Sequence, residues 1–540
     1  MAQSDYDYSE YDYIVVGGGS GGCTVAGRLA EQGHSVLLLE AGPGDRSPLI
    51  SVPGLGAFGS AAPRFNWRYQ TEPQQRMAGR RLYLASGRVL GGGSSINGMV
   101  YSRGFRQDWD AWPQAGCDGW GYDEVLPWFC RSESNWRGAG PVHGGDGPLR
   151  VARGSSKLPI CELILEAADQ AGFPRCDDFS ALTGEGFGWY DVTIGKGRRS
   201  NTAHAYLRSR PLPSLSVETG AMASAVIVEN HRATGVRYRH KGTDKTARAR
   251  SEVVVASGAI NTAQLLLLSG IGPADELAAH GIAVVLDQPQ VGRNLQNHLC
   301  FMLSFAANRP VTAYSYLSPV KAMAGGARYL IGRTGFLAEA SAPAGGFFKS
   351  DPALDYPDLQ LFAPVGVTGL VGKGVRALLP SFHGFTFFVS HGMPKSRGTV
   401  RLRSADPFDT PLIDPNYLEA EDDLERMASG IERVRELAAQ PALAGVIDRQ
   451  LAPRSGLGSR DAIRQAVREE GGHQFHVAGT CRMGASPADS VVDCRLRVHG
   501  IAGLRIADAS IMPLLMNGNT NAPIVMIAER AAHFMLEDEA

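Results

Sequence analysis

A chain of 540 residues is too long for one hydrophobic core, so two domains are expected. Hydrophobic residues make up 44% and charged residues 20%, the balance of an ordinary soluble globular protein. The formal charge of -1 gives no bulk attraction to nucleic acid, and no apolar run is long enough for a membrane span.

The first eight residues, Met-Ala-Gln-Ser-Asp-Tyr-Asp-Tyr, are acidic and polar and lack the basic start and apolar middle of a secretory signal. A cytoplasmic location is expected, with peripheral membrane contact left open. Eight scattered cysteines without C-x-x-C pairs read as reduced packing thiols, and no metal site is expected.

Tyr13-Ile-Val-Val-Gly-Gly-Gly-Ser-Gly-Gly22 is an apolar strand running into a glycine loop. Gly17, Gly19 and Gly22 give G-x-G-x-x-G: a tight turn, close approach of a pyrophosphate, and close helix–strand packing. The spacing predicts a helix over about 21–32 whose N-terminal amides face the phosphates, and a second strand ending at Glu40, a ribose-binding carboxylate.

Further on, Gly91, Gly92 and Gly93 precede Ser94-Ser95-Ile96-Asn97 and expose backbone amides. Glu252-Val-Val-Val-Ala-Ser-Gly258 reads as a buried strand, followed by a helix from Asn261. Leu424, Met427, Ile431, Val434 and Leu437 recur at helical spacing and predict a structural helix over 421–440. Leu504-Arg-Ile-Ala-Asp508 reads as a strand, and a C-terminal helix is expected from about Ala522 to Leu536. These pieces suggest an α/β (α+β overall) protein. Residues 1–154, 216–309 and 471–540 are assigned to a discontinuous Rossmann-like domain, and 155–215 and 310–470 to a substrate domain.

Four blocks then carry a resemblance. They are Gly87–Gly104, Gly258–Gly272, His476-Val-Ala-Gly-Thr-Cys-Arg-Met-Gly484 and Asn519-Thr-Asn-Ala-Pro523. In this order they resemble the glucose–methanol–choline (GMC) oxidoreductases from end to end, nearest the bacterial alcohol and choline dehydrogenase branch. One departure is Ala263, where proline or serine is usual; another is Asn297 in place of aspartate, beside His298, which is read as structural.

The resemblance implies FAD and a substrate domain built on an antiparallel sheet. It implies oxidation of an alcohol to a carbonyl, with a small-molecule alcohol and an electron acceptor (a quinone-like carrier or oxygen) as partners. It places Gly17, Gly19, Ser20, Gly22, Glu40, Ala41, Arg88, Gly92, Ser95, Asn97, Gly98, Met99, Val100, Ala223, Asp508, Ala509 and Asn519 around FAD. It gives His476 and Asn521 to catalysis. A neutral imidazole can take the hydroxyl proton as hydride leaves for flavin N5, and an amide can hold the alcohol oxygen. His473 is read as supporting or structural.

Ile96 stands where some relatives attach FAD through histidine, so noncovalent FAD is expected. Pro343 stands where choline-type relatives often carry glutamate, which favours an uncharged primary alcohol. Non-redox lyases, photodecarboxylases and a catalytically silent flavoprotein remain as alternatives. An NAD-dependent dehydrogenase would explain the first motif alone.

Overall fold

The computed structural model describes residues 9–181, 183–367 and 382–539; the acidic start at 1–8 lies outside the described residues. Two large sheets organise the chain. In the first, Ser9–Val16 pairs in parallel with Val36–Glu40 on one side and with Thr243–Val255 on the other. Leu215–Thr219 joins beyond Val36–Glu40, and Leu504–Ile506 joins beyond Val253, again in parallel. The three separated segments read as one domain therefore lie side by side. Their Val, Ile and Leu runs are covered on both faces, as a parallel sheet requires. The long strand Thr243–Val255 also carries an antiparallel extension formed by Arg232–His240 and Ala221–Glu229.

The first helix spans Ser20–Glu31, one residue ahead of its expected limits, and the last Asn521–Glu539, three residues beyond its expected end. They pack together, and Arg28 grips the buried Glu529 carboxylate through Nε and Nη2 at 2.8 and 2.7 Å. Buried paired charges of this kind tie the two ends of the chain to one register.

The second sheet is antiparallel. Its order is Ile447–Ala452, Leu299–Ala307, Gly384–His391, Leu359–Phe362, Ala344–Phe348 and Gly186–Trp189. The helix Glu421–Ala438 lies on it through Leu424, Met427, Ile431, Val434 and Leu437, all buried as their spacing predicts. A Cβ on Gly430 would come within 2.7 Å of Leu359 Cδ1, so the helix sits close enough to need glycine there.

Two boundaries of the expected division move. Leu299–Ala307 falls within 216–309 yet is an inner strand of the second sheet, and Gly472–His473 pairs with its start. Thr202–Leu207 and Leu215–Thr219 belong with the first sheet, the former packed on Ser20–Glu31 with the Tyr206 backbone against Gly27. A buried apolar strand such as Leu299–Ala307 reads alike in either sheet, and the short helix Thr202–Leu207 and the partly exposed strand Leu215–Thr219 carry too little pattern to show which sheet they join.

Candidate active site

The two sheets meet around a cavity of about 620 Å³, within the range of cofactor and substrate sites. Its wall includes Gly17, Gly19, Ser20, Glu40, Ala41, Gly92, Asn97, Gly98, Met99, Val100, Ala223, Asp508, Ala509 and Asn519, together with His476 and Asn521. Three of the expected residues do not line the wall. Gly22 packs the helix on the loop: a Cβ there would lie 1.8 Å from the Gly17 carbonyl. Arg88 lies 4.9 Å from the centroid of Trp67, which is itself in the wall. Ser95 donates to the Leu90 carbonyl at 2.7 Å and accepts from Asn201, so its hydroxyl is used in bracing the glycine loop.

The cradle is built from backbone. Gly17 has φ +100 and Gly92 φ +50, and a Cβ on Gly92 would meet Gly19 Cα at 2.7 Å. Cβ atoms on Gly93, Gly98 and Gly258 would meet no protein atom within 4 Å, because that space is the cavity. The helix Ser20–Glu31 begins at Gly19 with no side-chain cap, leaving its first amides for an anion. Glu40 accepts from the amides of Gly18 and Gly42 at 2.9 and 2.7 Å. Burial nevertheless pushes its carboxyl up to about 6. Asp508 accepts from the amides of Gly258 and Ser510, both at 2.8 Å, and so ties the loop after Val255 to the C-terminal strand.

At the other end, His476 is fixed from three sides. Its amide donates to Asn297 Oδ1 at 2.9 Å, its Nδ1 lies 2.9 Å from His298 Nδ1, and its Nε2 lies 3.4 Å from Asn519 Nδ2. Burial holds the imidazoles of His476 and His473 down at about 4, and that of His298 well below the free value, so all three are neutral at pH 7. The tautomers follow. His298 Nε2 lies 3.1 Å from the Met516 carbonyl, which only accepts, so Nε2 carries the His298 proton. His298 Nδ1 is then an acceptor and His476 Nδ1 the donor. His476 Nε2 is left with a bare lone pair beside the cavity. Gln360 Nε2 donates to Asn519 Oδ1 at 3.4 Å, which turns the Asn519 Nδ2 donor toward that lone pair.

Asn521 is not placed at His476. It opens the last helix and accepts from the Ser20 hydroxyl at 2.8 Å, at the first turn of the helix Ser20–Glu31. Asn519, expected at FAD, stands against His476. The two asparagines are two residues apart, one in the loop before the last helix and one at its first position, so sequence order alone did not separate them. His298, read as structural, sets the tautomer of His476. Its signal was its isolation: a buried histidine next to a buried amide needs a polar partner. His473 also lines the cavity, stacked on Tyr417 with 5.5 Å between centroids, and Asn297 Nδ2 reaches its Nδ1 at 3.0 Å.

The substrate side of the wall is Met302, Ala342, Phe362, Pro364, Phe388 and Phe475. Pro343 itself is buried but not in the wall; its carbonyl accepts from the Tyr190 amide at 2.9 Å. Among the described residues, no three histidine, cysteine or acidic side chains gather in a way that could hold a metal ion. Nor is any described helix long and apolar enough to cross a membrane.

The GMC oxidoreductase family models match residues 11–300 and 394–528. The chain belongs to the GMC oxidoreductase family. It is 42% identical over 537 residues to a mitochondrial choline dehydrogenase of Homo sapiens, covering 97% of this chain and 89% of that protein. It is also 42% identical over 535 residues to an alcohol dehydrogenase [acceptor] of Pseudomonas putida, covering 97% and 96%. Among solved structures, a formate oxidase of Aspergillus oryzae RIB40 superimposes with a TM-score of 0.92 at 26% identity, covering 98% and 99%. A pyridoxine 4-oxidase from Mesorbium loti superimposes with a TM-score of 0.86 at 30% identity, covering 97% and 98%.

This GMC oxidoreductase is therefore an FAD-dependent enzyme acting on CH-OH donors. The residues present fit the cofactor. A glycine cradle, an uncapped helix start and a carboxylate at the end of the second strand occur in the order that pyrophosphate and ribose need.

Proposed function

We propose that the enzyme oxidises an uncharged primary alcohol to its aldehyde, with His476 as the general base and Asn519 as the amide that holds the alcohol oxygen. The observation that carries this is the bare Nε2 of His476, fixed by His298 and set 3.4 Å from a donor that cannot compete for the proton. An alcohol oxygen between the two accepts from Asn519 Nδ2 while its proton passes to Nε2. That transfer builds alkoxide character and lowers the barrier to loss of hydride from the carbon. Bound FAD supplies the acceptor for that hydride.

An uncharged substrate is supported by the wall. Its three described carboxylates are Glu40 and Asp508, engaged with backbone amides at the cofactor end, and Glu470, which accepts from the Arg454 and Ser455 amides. None is free to face a quaternary ammonium beside His476. Aliphatic Ile96 in the wall, where an attachment histidine would stand, supports noncovalent FAD. We divide the chain into a cofactor domain on the parallel sheet and a substrate domain on the antiparallel sheet, with limits shifted as above. The relatives' names give an unspecified acceptor in one case and oxygen in another, so the same alcohol oxidation fits a quinone-type carrier or oxygen as the final acceptor. All eight cysteines are free, which supports a reducing, cytoplasmic location.

Anaerobic titration of the yellow enzyme with primary alcohols tests the reading. Bleaching of the flavin by an uncharged alcohol, with no response to choline, is expected. Flavin that dithionite reduces but no alcohol bleaches would transfer the assignment to lyase or photochemical activity. Acid precipitation should leave the flavin in the supernatant.

A further inference from the structure

The helix Pro319–Gly332 carries its apolar side outward. Val320, Met323, Ala324, Ala327 and Ile331 follow i, i+3, i+4, i+7, i+11 spacing and form one stripe, with Leu330 at its edge. All six are exposed: Val320 at 78%, Met323 at 75%, Leu330 at 84% and Ile331 at 90%. The half-buried side is Gly325, Gly326 and Tyr329, and Tyr329 donates to the Gly197 carbonyl at 3.0 Å. The helix is thus attached to the body by its small and polar face.

Its charges are of one sign. Lys321 and Arg328, seven residues apart, lie along one edge of the stripe, and Arg333 follows its last turn. The sequence from 288 to 338 contains no aspartate or glutamate. Lys196 and Arg198 flank Gly197, which tucks beneath the Arg333 backbone.

We propose that this helix is a docking surface for an anionic lipid bilayer, lying in the interface with its apolar stripe in the acyl region and its cations on the headgroups. Apolar stripe and cationic rim are the pattern of an interfacial helix, and Glu339, the acid that Arg328 acts on, is half-buried and outside the helix. A second copy of the chain fits poorly. An antiparallel two-fold contact through this face would bring the cationic edge of Lys321 and Arg328 in one copy beside the same edge of the other. The surface also leads to the cavity: beyond the helix, Ala340 packs with Met99 and Ala342 lines the wall. This inference stands independently of the identity of the alcohol.

Flotation of the FAD-loaded enzyme with vesicles tests it. Binding to phosphatidylcholine–phosphatidylglycerol vesicles, weak binding to pure phosphatidylcholine, and release by salt are expected. L330E/I331E is expected to lose at least about tenfold in partitioning, and K321E/R328E to lose the preference for phosphatidylglycerol. Both variants should keep their flavin absorbance per protein, which shows that they fold. In I331W, the added indole should shift its emission to the blue on the anionic vesicles. Failure of the wild type to float, or equal flotation of L330E/I331E, would overturn the proposal. So would a wild-type dimer that L330E/I331E converts to monomers with no lipid binding by either form.

Discussion

His298 and His476 meet through their Nδ1 atoms at 2.9 Å with their rings at 85°, and this contact decides which nitrogen of His476 is bare. The Met516 carbonyl sets the proton on His298, His298 sets it on His476, and the lone pair faces the cavity. A three-member chain of this kind selects the tautomer without a carboxylate.

His476→Ala should slow flavin reduction by about 10²–10⁴-fold, the contribution of a positioned base. His298→Ala should slow it by roughly tenfold or more with little change in flavin content, because the ring of His476 then loses its fixed tautomer. His298→Gln, whose amide oxygen can accept from His476 Nδ1, should recover part of the rate. Anaerobic stopped-flow reduction measures all three. Unaltered reduction in His298→Ala would show that the contact packs the ring and does no more.

Asn519 and Asn521 should separate cleanly. Asn519→Ala removes the donor beside His476 and should lower the reduction rate by about 10²-fold or more, the scale for one oxyanion donor. Asn521→Ala removes the acceptor of the Ser20 hydroxyl and should weaken FAD retention, with reduction of the remaining holoenzyme near normal. Flavin-to-protein absorbance ratios and stopped-flow rates on the same preparations distinguish the two. The reverse pattern would return Asn521 to the catalytic pair.

The cofactor end of the site was legible because backbone chemistry leaves a strong trace in sequence. Gly17 and Gly92 are where a neighbouring loop comes too close for a Cβ, Gly19 keeps the spacing of the motif, and Glu40 ends a strand at a fixed distance from them. The strands Val253–Val255 and Leu504–Ile506 were legible as buried apolar runs, though not as direct neighbours. The catalytic end was less so. Its geometry comes from residues such as Asn297, His298, Gln360 and Asn519, brought by long-range folding from the second sheet and from the loop before the last helix. None has a local pattern that announces a partner. Arg88 and Ser95 show the converse: they share a signature stretch with wall residues, yet Ser95 braces the loop from behind and Arg88 lies exposed over the Trp67 ring.

Gly92→Ala should yield protein that folds but purifies largely colourless. The substitution forces a β-carbon onto a backbone at φ +50 and into contact with Gly19 Cα, at a cost of about 1–3 kcal/mol for the conformation before the clash is counted. Circular dichroism and flavin absorbance check the two halves of this statement. Wild-type flavin content would mean that the glycine loop can give way without losing the cofactor.

The pH dependence of flavin reduction should betray the burial of His476. A free imidazole titrates near ~6.5, whereas burial holds this one at about 4. The base works only when neutral, and it is protonated below its pKa. Lowering the pKa therefore moves the acid limb of the profile to lower pH. Reduction rates at saturating alcohol should be flat on the neutral side and fall as pH drops, with a midpoint below ~6.5. In His476→Gln the limb should vanish along with most of the rate. A wild-type midpoint at or above ~6.5 would mean that His476 is stabilised in its charged form, and the neutral-base chemistry derived from its contacts would have to be abandoned.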